Sequence, residues 1–125
     1  MRMPIQYAMC HPVRVPGCAP SLDYTTLREL VFEPVDHRRF PAPGLALDAI
    51  RAGGTAGAIL NAANEAAVEA FLDGRIRFGR IPEMVKAALE SIETLEAEDL
   101  EEVLEADRRA RDFVRERSTS LAGRD

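Results

Sequence analysis

Between Thr55 and Arg75 the chain reads T-A-G-A-I-L-N-A-A-N-E-A-A-V-E-A-F-L-D-G-R, and no other run constrains the fold as tightly. Its apolar residues recur at Ile59, Ala63, Ala66 and Ala70, with a neighbouring line at Leu60, Ala67 and Phe71. Spacings of three and four residues place both lines on one wide helical face. Nearly every residue is a strong helix former, and Gly74 stands where a left-handed stop is expected. Alanine at so many facing positions lets partner helices come close, so the run predicts the central helix of a bundle. Asn61, Asn64 and Glu65 interrupt the apolar surface. Buried amides need hydrogen-bond partners, so these three are expected to act as structural anchors that fix register or hold a neighbouring loop.

A bundle of this kind fits the composition. With 125 residues, the sequence has room for one real core, as one domain or part of one. Aromatic residues make up only 6% and tryptophan is absent, so aliphatic and alanine packing has to dominate. The formal charge of −5 argues against nucleic acid as a partner. Basic residues number 16, and Lys86 is the only lysine among them. No run reaches the length of a membrane span, and no signal-peptide layout opens the chain, so a cytoplasmic protein is expected. Cys10 and Cys18 are then read as reduced thiols, and with His11 and His37 they match no common zinc spacing.

Taken in order, Pro4 can open a short helix through Met9 that puts Met3, Tyr7 and Cys10 on one side. Pro12, Pro16, Gly17 and Pro20 then forbid regular structure. Ser21 or Asp23 is expected to cap a helical turn reaching Leu27 or Glu29. Leu30-Val31-Phe32-Glu33 predicts a brief strand ended by Pro34. One strand makes no sheet, so it must pair with another chain or with a sheet belonging to other sequence. This arm is too short and too proline-rich to bury itself. From Pro41 the pattern is helical: Leu45 to Ile50 closed by Gly53-Gly54, then the central helix. A third helix from about Pro82 carries Ile81, Val85, Leu89, Ile92 and Leu95 as its stripe. A last helix begins near Asp99, with Glu102 in a capping-box position. Its inner face is expected at Leu100, Val103, Leu104, Ala110, Phe113 and Val114. Acidic residues in its first half and arginines in its second suit the helix dipole, and Glu105 with Arg109 predicts an i,i+4 pair. Fraying is expected from Ser118. The fold class is therefore mainly α: an irregular arm with one short β-strand over 1–40, followed by a four-helix C-terminal bundle over 41–121.

Little chemistry is legible. Gly53-Gly54-x-x-Gly57 lacks a preceding strand and reads as helix punctuation, not a phosphate loop. Glu65, Glu69 and Asp73 share a helix face, but no histidine or cysteine joins them at metal-ligand spacing. Ser118 and Ser120, in the expected frayed tail, have no support as nucleophiles. No catalytic residue and no metal ligand is expected in this chain.

Several segments resemble the C-terminal region of the 1-deoxy-D-xylulose 5-phosphate reductoisomerase family. They are M-R-x-P-I-x-Y-A at the start, L-D-x-x-x-L-x-x-L-x-F-E-x-x-D-x-x-R-F-P over 22–41, and L-N-A-A-N-E-x-A-V-x-A-F-L with the following R-I-x-F-x-x-I. V-L-E-A-D-x-x-A-R over 103–111 is a further match. The resemblance implies an oxidoreductase of isoprenoid biosynthesis that uses NADPH and a divalent cation (Mg, Mn or Co) to make 2-C-methyl-D-erythritol 4-phosphate. It implies a chain roughly three times this length, with NADPH-binding and catalytic domains preceding a helical domain. Residues 1–40 would complete the catalytic domain and 41–121 would be the terminal bundle, with Asp36 and Arg39-Phe40-Pro41 at the turn between them. The partners implied are those preceding domains. Met1 matches the methionine of the family's G-x-P-D-M-R stretch beside the nicotinamide, which makes it the one implied cofactor contact; the Gly-x-Pro-Asp part has no counterpart here. On this reading the chain alone binds no cofactor and is inactive. A stand-alone, non-catalytic helical interaction module derived from that domain is the alternative. Without their usual cover, Ile5, Tyr7, Val31 and Phe32 would each leave surface wet at about 25 cal/mol per Å², so self-association through residues 1–40 is expected.

The pattern makes a direct prediction for amide hydrogen exchange. Slow exchange over 45–117 with fast exchange over 1–40 is expected of a self-folding bundle trailing an arm made for another domain. Protection over the whole length would show the arm already covered and favour the stand-alone module.

Overall fold

The structure is a computed structural model; it describes residues 2–17, 19–20, 23–26 and 29–121, and of Leu121 the backbone only. The chain divides into two compact units, Met1–Pro34 and Val35–Asp125.

In the first unit, α1 (Arg2–Cys10) extends two residues before and one residue after the expected Pro4–Met9 helix, and it buries none of its residues. Its end is turned by Val13 N–H donating to Cys10 O at 2.9 Å, across a cis His11–Pro12 peptide. Gln6 Nε2 donates to Pro16 O at 2.7 Å, and the Arg14 guanidinium lies 4.6 Å from the centre of the Tyr7 ring. The expected capped helix around residue 23 is a single turn at 24–26, and Glu29 is not helical. Asp23 Oδ1 accepts from both the Thr25 N–H and hydroxyl, and these bonds, the hydroxyl's first, hold its carboxyl below the ordinary range. Ser21 and Leu27 lie outside the described residues.

The expected strand is not formed. Leu30 to Glu33 has no regular structure, and there is no strand among the described residues. A β-strand is defined by the ladder it shares, and no described segment offers one. Phe32 is left 87% exposed.

The second unit opens on a turn in which Asp36 Oδ1 accepts from the Arg38 and Arg39 N–H groups. Four helices follow: α2 (Ala42–Ala52), α3 (Ala56–Leu72), α4 (Arg80–Ser91) and α5 (Leu100–Leu121). The central position of α3 is as expected: it packs on α2, α4 and, most extensively, α5. Ala56, Ile59, Ala62, Ala63, Ala66, Ala67 and Ala70 are all buried on it. Gly74, at a φ of +72°, ends it: Gly74 N–H donates to Phe71 O and Arg75 N–H to Ala70 O, the paired closure that satisfies the last carbonyls.

Differences from the expected inner faces have simple causes. On α5 the buried line is Ala106, Ala110, Val114 and Ser118, while Leu100 and Leu104 are exposed. That line repeats every four residues and selects the smallest side chains, which suits close packing on an alanine surface. It also carries α5 past the expected frayed end, with Ser118 wholly buried. Ser118 Oγ donates to Arg115 O and accepts from Arg75 Nη1 at 3.1 Å, so the buried hydroxyl is satisfied. On α4, Met84 and Ala88 join Ile81, Val85 and Ile92 in the core; Leu95 is 41% exposed. The capping arrangement at α5 is as read: Asp99 Oδ1 accepts from Glu102 N–H, and Glu102 Oε2 accepts from Glu98 N–H. Glu105 pairs with Arg108, which also reaches Glu101, and not with Arg109. Lys86 pairs with Glu90 on the outer side of α4.

Besides the Arg75–Ser118 bond, two polar contacts tie distant segments together. Thr55, buried, donates its N–H to Leu95 O at 2.9 Å and accepts from Leu95 N–H through Oγ1 at 3.0 Å. Gly54 beside it has a φ of +48°, and a Cβ there would stand 1.9 Å from Leu95 O. Between α3 and α5, Arg111 donates to Asp107 and, at 2.7 Å, to Glu65. The Arg111 hydrogen bond is the main reason the Glu65 and Asp107 carboxyls lie below their ordinary values of 4.5 and 3.8. Both bonds raise the already high arginine pKa, Asp107 first.

Glycine substitutions should therefore separate by sign. Gly54→Ala is expected to lower unfolding stability by roughly 2–4 kcal/mol, from left-handed backbone plus overpacking. Gly57→Ala, inside α3 with nothing within 4 Å of its Cβ position, should raise it by about 0.5–1 kcal/mol. Thermal or urea unfolding of the two variants checks both. For Glu65 and Asp107, folding lowers the pKa, so the unfolded chain binds these protons more readily. Their contribution is complete above the ordinary values and is lost as pH falls through the lowered ones. Unfolding curves measured from about pH 6 to 2 should show Arg111→Met destabilised at the top of that range and converging on the parent chain at the bottom. A pH-independent gap would refute the linkage.

Candidate functional site

The side chains that sequence reading singled out fall in separate places. Met1, the implied nicotinamide contact, lies outside the described residues, as does Cys18. Cys10 is a half-buried free thiol on α1. It lines a concavity of about 450 Å³ together with Met3, Gln6, Tyr7, Arg14 and Tyr24. Met3, Tyr7 and Cys10 thus do share a side of α1, as their spacing predicts. The walls of this hollow are held by the Gln6–Pro16 hydrogen bond and the Arg14–Tyr7 stack. His11 packs edge-on against Tyr7, with ring centres 5.7 Å apart.

Asn61, Asn64 and Glu65 are exposed, not buried among the helices. Asn61 Nδ2 donates to Glu65 Oε1 at 3.3 Å, and Glu65 is held by Arg111. Of the three, Glu65 is the one that ties helices together; the two asparagines lie on the open side of α3. The reason is angular: Ala62, which neither line includes, is buried beyond the Ile59 line on the side away from Leu60, so the inner face is centred farther from the asparagines and they turn outward. A shallow groove of about 380 Å³ runs along this side, lined by Asn64, Glu65, Val68, Glu69, Leu72 and Asp73.

The third hollow, about 260 Å³, lies where Thr55 and Leu95 meet the start of α5, and Glu93, Asp99, Glu102 and Arg109 line it. Among the described residues no three His, Cys, Asp or Glu side chains gather as a set that could hold a metal ion, so the donors present do not fit one. Ser120 is exposed and donates to Arg117 O. No described helix is long and apolar enough to cross a membrane.

Sequence reading missed Thr55, Ser118 and Arg111, the side chains that join distant segments. Ser118 was accessible as the next four-residue step after Ala106, Ala110 and Val114. Arg111 stands four residues after Asp107, which marks it as paired but not as reaching α3. Nothing local marks Thr55.

The family model for the DXP reductoisomerase C-terminal domain matches residues 1–113. Among curated relatives, 1-deoxy-D-xylulose 5-phosphate reductoisomerase of Cupriavidus metallidurans is 51% identical over 124 residues, covering 99% of this chain and 32% of the relative. The enzyme of that name from Pelotomaculum thermopropionicum is 51% identical over 113 residues, 90% of this chain and 29% of the relative. The solved reductoisomerase of Zymomonas mobilis in complex with NADPH superposes with a TM-score of 0.81 at 41% identity, covering 94% of this chain and 31% of that one. A reductoisomerase structure with fosmidomycin and magnesium gives 0.82 at 32% identity, covering 99% and 33%. The chain thus spans about a third of the length of the relatives it matches. By the match over residues 1–113 and these identities, it belongs to the DXP reductoisomerase C-terminal domain family.

Proposed function

We propose that this chain acts as the C-terminal scaffold of a 1-deoxy-D-xylulose 5-phosphate reductoisomerase, a cytoplasmic enzyme in which the chemistry belongs to the preceding segments. The observation that carries the reading is a match covering 99% of this chain but only 32% of a relative half-identical to it. In the whole enzyme, NADPH and a divalent cation (magnesium, manganese or cobalt) supply hydride and Lewis-acid chemistry. By the family resemblance, the acidic ligands of that cation belong to the preceding part. NADPH would touch this chain at Met1 alone.

Residues 1–40 then serve as the arm that completes the catalytic domain, and 41–121 as the bundle that braces it. Exposed Ile5, Val31 and Phe32 support that division, as does an α1 with no buried residue. In the whole enzyme the 30–33 segment would find the strand partner it lacks here. The partners are the NADPH-binding and catalytic domains. Deprived of them, the arm's apolar side chains drive self-association.

The purified 125-residue chain, given 1-deoxy-D-xylulose 5-phosphate, magnesium and NADPH, is expected to leave the NADPH absorbance unchanged. The same sequence joined behind the preceding two-thirds of the Cupriavidus metallidurans relative should oxidise it. Turnover by the short chain alone sinks the scaffold reading; no turnover by the joined chain removes the enzyme assignment and favours a stand-alone module.

A further inference from the structure

On α3, Gly57, Asn61, Asn64, Val68 and Leu72 follow one another at spacings of four, three, four and four residues, which puts them on one line along the helix. The other sides of α3 face α2, α4 and α5, whereas this line faces outward, with Leu72 76% exposed and Val68 half-buried against the edge of the core. It carries no charge. The outward side of α5, by contrast, has the usual form of a solvated face, with Glu101, Glu105, Arg108, Asp112 and Arg115. Of the three carboxylates lining the groove, Glu65 is compensated by Arg111 and Asp73 by Arg75, so covering these two meets less of the penalty for burying a charge, while Glu69 is exposed. The two asparagines offer donors and acceptors in the middle of the line, the pattern that pairs with main-chain amides, and the aliphatic end offers apolar area.

We infer that this line of α3 is a docking surface for polypeptide from the preceding two-thirds of the enzyme. The inference rests on the reductoisomerase reading. The family model is that of a C-terminal domain and the relatives are about three times as long, so the additional chain lies ahead of this one. A second copy of the chain is the rival occupant.

Maleimide labelling decides between them, with sites read by peptide mass so that Cys10 and Cys18 do not interfere. Leu72→Cys and Glu116→Cys, the latter on the exposed side of α5, are made both in the 125-residue chain and in the chain joined behind the Cupriavidus metallidurans segments. In the joined chain the Leu72→Cys site is expected to label about tenfold more slowly than in the short chain, with Glu116→Cys unchanged. Equal labelling of the Leu72→Cys site in both overturns the inference. Protection already in the short chain, together with a doubled mass in solution, assigns the surface to a second copy and also overturns it. NADPH turnover reports the enzyme reading independently: turnover with an unprotected Leu72→Cys site removes the surface and leaves the enzyme, whereas protection without turnover does the reverse.

Discussion

Close approach of helices through alanine is the condition on which the bundle depends. With aromatic residues scarce and tryptophan absent, the core cannot be filled by a few large side chains. It is filled by helix backbones brought near one another, which requires small residues on both sides of each contact. Ala62, Ala63, Ala66, Ala67 and Ala70 on α3 meet this need, as do Ala106 and Ala110 on α5. Such a core tolerates loss of volume poorly, because little side chain is there to lose, and tolerates added volume worse, because the backbones have nowhere to go.

The same condition explains where polar side chains are found. Once helices are close, a buried hydroxyl is small enough to fit but must be satisfied locally. Ser118 does so through Arg115 O and the Arg75 guanidinium. Ion pairing is pushed outward: Arg111 bridges Glu65 and Asp107 at the rim of the α3–α5 contact, with the Glu65 carboxylate in water. Rim placement limits what the pair adds to stability.

Helix positions were legible because periodicity and punctuation agree. Gly74 and the Asp99–Glu102 cap are local signals and appear where they were read. The four-residue line to Ser118 was obscured by a serine that looks like a tail residue until its partner on another element is known. The 30–33 segment failed for a different reason. Its composition favours a strand, but a strand is a pairwise property, and composition describes only one side of the pair. Asn61 and Asn64 show the limit for the site: their polarity was visible, but which way α3 turns them depends on Ala62 being inside. Family membership, in contrast, rests on several ordered segments and was readable throughout.

The double hydrogen bond between Thr55 and Leu95 has a topological side. The two residues are 40 apart, and the segment between them contains all of α3 and α4. Joined at its ends, that segment is a non-covalent ring, with α2 and α5 attached as tails on either side of one clasp. In a ring the two ends stay together if the chain is opened elsewhere. The 73–79 link, opposite the clasp, is thus the place where the polypeptide has least need to be continuous, and residues 53–55 with 95 are where it has most. Closing about 40 residues in this way removes loop freedom that α3 and α4 would otherwise have to overcome in pairing. The clasp does so with main-chain groups and one small buried hydroxyl, that of Thr55.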